Sequence, residues 1–281
     1  MPETVEATAA SAAAKAAAVR RPPSYLVSAV LAGCYVGMAV VLLVSVSAPL
    51  AAAGSPVTKL VQGAVFGLAL TLVVFAGAEL FTGNVMVMTH GLRRRTVGYG
   101  AAATVNVVSL IGNAIGSLAL ALAVTFSGVL RSGATADAGS PAHALLSTIV
   151  AAKNQATGPE LFWRAVLCNA LVCLALWMAA RATSDGAKLM VLWWGLLAFI
   201  GSGFEHSVAN MTTFSLAIFD GLAAWSDLGH NLAWTIPGNV VGGLLVAFGY
   251  AWTVQRRPTV PEQSIDLPVA ALPEQRVGAR A

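Results

Sequence analysis

Charge is what this chain has least of. Asp, Glu, Lys and Arg make up 10% of its 281 residues, against a hydrophobic share of 57%. A soluble domain needs far more polar surface than that, and the shortage is too uniform for a soluble domain carried on one anchor. Both are excluded, and a polytopic, all-α membrane protein remains. Cysteine is also scarce. Cys34, Cys168 and Cys173 all fall inside apolar runs and in no metal-ligand spacing. An odd number of membrane-buried thiols argues against a disulfide framework, and they read as small packing residues. Catalytic equipment is missing as well: there is no His-Glu-x-x-His set, no nucleophile constellation and no cofactor motif. An enzyme is therefore not expected, nor any metal or cofactor. The net charge of +4 is small and unevenly placed, which orients the chain in a bilayer and does not point to nucleic acid.

Six stretches can each cross a bilayer, which takes about 20 apolar residues in a helix: 26–50, 59–88, 100–130, 162–182, 189–219 and 232–254. The second and fifth are unusually long. Arg20 and Arg21 precede the first span, Arg93, Arg94 and Arg95 follow the second, Arg181 and Lys188 follow the fourth, and Arg256 and Arg257 follow the sixth. All of these fall on one side, whereas the other has only Lys59, Arg131 and Lys153. The positive-inside rule thus places both termini in the cytoplasm. Gly33 and Gly37, four apart on one face of the first span, predict close approach of a neighbouring helix.

The two long spans are interrupted by polar groups. In the fifth, Gly201-Ser-Gly-Phe-Glu-His-Ser-Val-Ala-Asn-Met211 brings a carboxylate, an imidazole and an amide to bilayer depth; in the second, Ala78-Glu-Leu-Phe-Thr-Gly-Asn-Val-Met86 does much the same. Ionisable groups there mark function, and broken backbone survives there only when buried in protein or lining a cavity. Glu79 and Asn84 in one break match Glu205 and Asn210 in the other at a spacing of 126 residues (205 − 79). The same spacing relates Gly112-Asn113-x-x-Gly116 to Gly238-Asn239-x-x-Gly242, while Ala29-Val-Leu31 aligns with Ala165-Val-Leu167 at a longer offset. The halves are repeats. Each holds three spans, an odd number, so the second is expected to enter from the opposite face, with a substrate site at the midplane between matching broken helices. Glu79, Glu205, Asn84 and Asn210 are expected to brace the broken backbone, with Asn113 and Asn239 as further candidates for that role. His206 is the expected centre of the path.

Outside the spans, residues 1–23 form an Ala-rich cytoplasmic segment closed by Pro22-Pro23, either a short surface helix or disordered. Arg20 and Arg21 follow its Ala-rich part, the wrong order for a signal peptide. The 24–255 region is the membrane domain. Its longest connection, 127–158, begins turn-rich and ends in a helical pattern reaching Lys153, after which Pro159 opens the fourth helix. The polar, Pro-interrupted tail, 256–281, is expected to be disordered and cytoplasmic.

Across 24–255 the chain resembles the formate/nitrite transporter family, in Ala78-Glu-Leu-Phe-Thr82, Leu167-Cys-Asn-Ala-Leu-Val-Cys173 and Ser202-Gly-Phe-Glu-His-Ser-Val-Ala-Asn-Met211. Thr82-Gly-Asn84, Trp193-Trp194, Met211-Thr212 and Gly229-His-Asn-Leu232 look most like nitrite-conducting members and less like formate-conducting ones. The resemblance implies an aquaporin-like protomer, a homopentamer in the bacterial inner membrane, and one path per protomer for nitrite and formate-like small monovalent anions. It also implies a pore histidine at His206, a threonine partner at Thr82, an outer-vestibule lysine at Lys153, a pore asparagine at Asn169, and apolar constrictions at Phe66, Leu70, Leu80 and Phe199.

The chemistry of these residues is consistent with that role. A small anion must shed water at an apolar constriction, where an unpaired charge is costly. Lys153 and the positive ends of helices at the breaks would draw it in. Histidine is the side chain whose protonation suits proton exchange with a weak-acid anion. The alternatives are a formate or hydrosulfide channel of the same family, or an aquaporin-like channel for neutral solutes, although the paired Asn-Pro-Ala breaks of aquaporins are absent.

Overall fold

A computed structural model describes residues 1–133 and 139–254; the tail expected to be disordered lies outside the described residues. The described chain is helical. It runs α1 (Pro2–Ala18), α2 (Pro22–Ala52), α3 (Thr58–Phe66), α4 (Leu68–Thr71), a π-helical turn (Leu72–Gly77), α5 (Phe81–Arg94) and α6 (Tyr99–Ser127). A 3₁₀ turn (Val129–Arg131) follows, then α7 (Pro141–Gln155), α8 (Gly158–Arg181), α9 (Asp185–Gly201), α10 (Ser207–Phe219) and α11 (Trp225–Thr253). Among the described residues, α2, α6, α8, α11 and the continuous stretch Thr58–Gly77 are long and apolar enough to cross a bilayer. The fifth span does so only as two pieces, α9 and α10, because the chain leaves the helix at 202–206.

Both breaks have the same cause. Gly77 at φ 79° and Gly203 at φ 74° turn the backbone into the left-handed region that only glycine enters without strain, and 126 positions separate them (203 − 77). Beyond each turn the freed backbone is bonded in the same way. The N–H of Phe81 donates to Asn113 Oδ1 and that of Ser207 to Asn239 Oδ1, both at 2.9 Å. Asn113 Nδ2 donates to the carbonyls of Ala29 (2.8 Å) and Glu79 (2.9 Å), and Asn239 Nδ2 to those of Ala165 (2.8 Å) and Glu205 (3.1 Å). The Glu79 N–H reaches the Ser28 carbonyl, and the Glu205 N–H reaches that of Arg164. Each buried group left unpaired would cost roughly 1–3 kcal/mol, so these two asparagines hold the breaks open.

Small residues let the asparagines reach. Gly116 faces the Val30 carbonyl and Gly242 the Val166 carbonyl so closely that neither site has room for a Cβ. As a result α6 packs on α2, and α11 on α8. Gly33 and Gly37 approach α6 likewise, against Asn113 and Leu120. α8 opens on a capping box between Thr157 and Glu160, with a proline in its first turn.

The Ala-rich N-terminus is the helix α1, packed on α5. Val5, Ala9 and Ala12 are buried, and Thr96 Oγ1 donates to the Ala9 carbonyl at 2.8 Å. Alanine favours helix, and its small side chain lets α1 approach α5 at Gly91, which abuts Ala12.

Candidate functional site

Each break presents a carboxylate, and each carboxylate meets a lysine from a separate helix. Glu205 Oε2 accepts from Lys153 Nζ of α7 and from Asn210 Nδ2, both at 2.7 Å. Glu79 Oε2 accepts from Lys15 Nζ of α1 at 2.6 Å, and from Asn84 Nδ2 and the Tyr25 hydroxyl at 3.0 Å. Lys153 is therefore no solvated loop residue: its side chain is 16% exposed and its partner's is 5% exposed. A carboxylate at this depth requires such a counter-charge.

The sequence reading missed Lys15. It precedes the repeated segment, and its distance from Lys153 is 138 residues (153 − 15), off the repeat spacing. The signal available was chemical: Lys153 answers Glu205, and Glu79 needed an equivalent cation.

His206 is the N-cap of α10. Its Nδ1 accepts the N–H of Ala209 at 3.2 Å, so the neutral ring carries its proton on Nε2. That Nε2–H donates to Thr82 Oγ1, 3.0 Å away. Phe199 stacks on the imidazole, with centroids 5.9 Å apart and an interplanar angle of 23°. Phe66 meets Phe199 edge-on at 5.5 Å.

Two cavities touch this ring, and a third adjoins one of them at Leu80. One, of about 140 Å³, holds Lys153, Glu205 and Asn210 and ends on Phe66, Phe199 and His206. Another, of about 530 Å³, holds Lys15, Glu79 and Asn84 and ends on Leu80. Between them lies a chamber of about 10 Å³ lined by Phe66, Leu70, Leu80, Phe199 and His206. That is at or below the volume needed for one water, and every lining side chain except His206 is apolar. α2 contributes Ser28 to the Lys15 cavity and Val44 to the Lys153 cavity; 16 helical residues apart, they are separated by roughly 24 Å along the axis. Leu80 and His206 are the N-caps of α5 and α10, so the positive ends of both half-helices face the chamber.

The structure thus gathers His206, Phe66, Leu70, Leu80 and Phe199 at one chamber, with Thr82 touching the ring and Lys153 one cavity away. It does not bring Asn169 to the lining. That amide is fully buried behind the wall, where its Nδ2 donates to the carbonyls of Thr82 (3.1 Å) and Asn239 (2.6 Å). Asn169 tethers the first turn of α5, which carries Thr82, and does not line any of the three cavities. No group of His, Cys, Asp and Glu among the described residues has a metal-binding arrangement.

The family model described as "Formate/nitrite transporter" matches residues 2–253. The chain belongs to the formate/nitrite transporter family. It is 37% identical over 274 residues to the nitrite transporter NirC of Salmonella typhimurium, covering 96% of this chain and 98% of the relative. A solved structure described as an FNT family ion channel is similar at a TM-score of 0.82 and 38% identity, covering 91% of this chain and all of that one. A pentameric formate channel with formate bound is similar at a TM-score of 0.71 and 27% identity, over 82% of this chain and 96% of that one. As a formate/nitrite transporter with several membrane-crossing helices, the protein is a multi-pass membrane protein.

Proposed function

We propose that this protein passes nitrite and formate-like small monovalent anions across a bacterial inner membrane, through one path in each protomer of a homopentamer, and that it is not an enzyme. The observation that carries this reading is the apolar chamber walled by His206, with a lysine–glutamate pair in the cavity at each end. The nitrite transporter and the pentameric formate channel similar to this chain support the substrate class and the assembly. The basic residues beside α1, α5 and α8 support a reading in which the Lys15 cavity faces the cytoplasm and the Lys153 cavity the outside, with the two halves as inverted copies.

In this reading Lys153 and Lys15 concentrate anions in the two cavities, while Glu205 and Glu79 offset their charge so that an anion is not trapped. Phe66 and Phe199 form the outer constriction, and Leu80, backed by Leu70, the inner one. The Nε2–H of His206, positioned by the Thr82 hydroxyl, supplies a hydrogen bond where the anion loses water. A neutral imidazole with Nδ1 accepting from the Ala209 N–H is no spare proton source, but an anion at the chamber mouth stabilises a second ring proton, taken from water in the Lys153 cavity onto Nδ1 as the Ala209 N–H bond is released. The imidazolium then passes one proton to the anion's oxygen and returns to neutral. The neutral acid crosses the apolar chamber without the cost of a dehydrated charge.

The test is solute flux into liposomes containing the purified protein. Nitrite and formate fluxes well above those of protein-free liposomes, with glycerol no faster than in those controls, are expected. Nitrite flux equal to the protein-free control, or glycerol flux matching that of nitrite, overturns the assignment.

A further inference from the structure

The larger of two cavities outside the path lies near His90. It has a volume of about 390 Å³, lies between the ends of α5 and α11 and the start of α1, and is lined by Val5, His90, Arg93, Arg94, Trp252 and Val254 among others. His90 is 0% exposed, and among the described residues neither of its ring nitrogens has a hydrogen-bond partner. What holds the ring is stacking: it lies on Trp177 at 5.4 Å and 22°, and Trp177 lies on Tyr250 at 4.3 Å and 18°. A buried imidazole with both nitrogens unpaired is costly and calls for an occupant that pairs with it.

The neighbours of His90 define the chemistry of that occupant. Arg93 packs its guanidinium over Phe248, 5.4 Å from the ring centroid, and has no carboxylate partner among the described residues. Arg94 pairs through Nε with Glu6 Oε1 at 3.0 Å, and Glu6 is 61% exposed, so the pair is weak and displaceable. Two forked guanidiniums beside an imidazole donor match an oxyanion carrying more than two oxygens. The space is far larger than a triatomic monovalent anion requires.

We propose that this cavity binds a phosphate-bearing anion, with His90 donating through one ring nitrogen and Arg93 and Arg94 through their guanidiniums. The phosphate comes from a lipid headgroup or from solution; Trp252, 79% exposed beside the cavity, offers an apolar wall for a lipid. The site is separate from the path, and its failure would leave the transport reading untouched.

The experiment measures saturable binding to the full-length protein in phosphate-free detergent, by native mass spectrometry and thermal shift. The probes are inorganic phosphate and phosphatidylglycerol, with diacylglycerol of the same chains as the phosphate-free control. Binding of phosphate identifies a soluble source; binding of phosphatidylglycerol, but of neither phosphate nor diacylglycerol, identifies a lipid. His90→Phe keeps the stacking on Trp177 and removes both nitrogens, and it is expected to weaken binding at least tenfold, as is Arg93→Gln. His90→Gln, which restores a donor, is expected to stay within about threefold of the parent, and Lys153→Ala is expected to bind normally. The mass of the intact assembly in native mass spectrometry, measured without either probe, serves as the check on folding. No saturable binding of either probe, equal affinity for diacylglycerol, or unchanged affinity in both His90→Phe and Arg93→Gln would overturn the proposal.

Discussion

Thr82 Oγ1 lies 3.0 Å from His206 Nε2, joining residues 124 positions apart and belonging to the two separate breaks. Because the Ala209 N–H occupies Nδ1, Nε2 is the ring's donor, and Thr82 holds it toward the chamber wall. His206→Asn keeps an amide donor but cannot titrate near neutral pH. The variant is expected to assemble normally while its flux between pH 5 and pH 8 becomes flat or its nitrite-to-formate selectivity shifts. A flux and pH profile identical to the parent's would make His206 a packing residue.

Removing the charge of Lys153 is expected to raise the half-saturating nitrite concentration about tenfold while changing maximal flux little. The pair with Glu205 is largely buried, so salt should affect this difference less than it would for an exposed lysine. Lys153→Ala also leaves Glu205 without its counter-charge, and breaking a buried pair costs about 3–5 kcal/mol. Adding Glu205→Gln should recover thermal stability, since an amide can still meet Asn210, without recovering affinity. An unchanged half-saturation in Lys153→Ala would remove Lys153 from the path.

Lys15 holds the equivalent place at Glu79. Lys15→Ala is expected to lower nitrite flux several-fold when substrate is supplied from the cytoplasmic face, with a smaller effect from the outer face. Sided flux assays in oriented vesicles measure this. Equal effects from both faces would separate α1 from the inner cavity.

The turns at Gly77 and Gly203 require a left-handed backbone. Gly203→Ala has open space for its Cβ, so any loss comes from the backbone, expected at about 1–2 kcal/mol, and is read as a lower thermal midpoint. Gly112→Ala, where the new Cβ would meet Ala29 and the adjoining backbone, is expected to destabilise more. A Gly203→Ala protein as stable as its parent would refute the account of the break.

Much of this molecule was legible because a bilayer leaves few choices. Backbone in hydrocarbon must bond to itself, so apolar runs of sufficient length are helices, and Glu79 and Glu205 inside such runs had to mark breaks. The repeat spacing then named Asn113 with Asn239 and placed Glu79 opposite Glu205, whose bonds the structure pairs in the same way. What the spacing could not carry was contact across distant elements. Lys15 reaches Glu79 only because α1 docks on α5, and Asn169 lines none of the three cavities because the carbonyls of Thr82 and Asn239 claim its amide. The sequence by itself determined the spans, the breaks and the residue types at them, since these follow from local hydrophobicity and period. Only the tertiary structure decided which cation answers which carboxylate and that Phe66, Leu70, Leu80 and Phe199, which the family resemblance had named, share one chamber with His206, because those depend on where helices far apart in the chain meet.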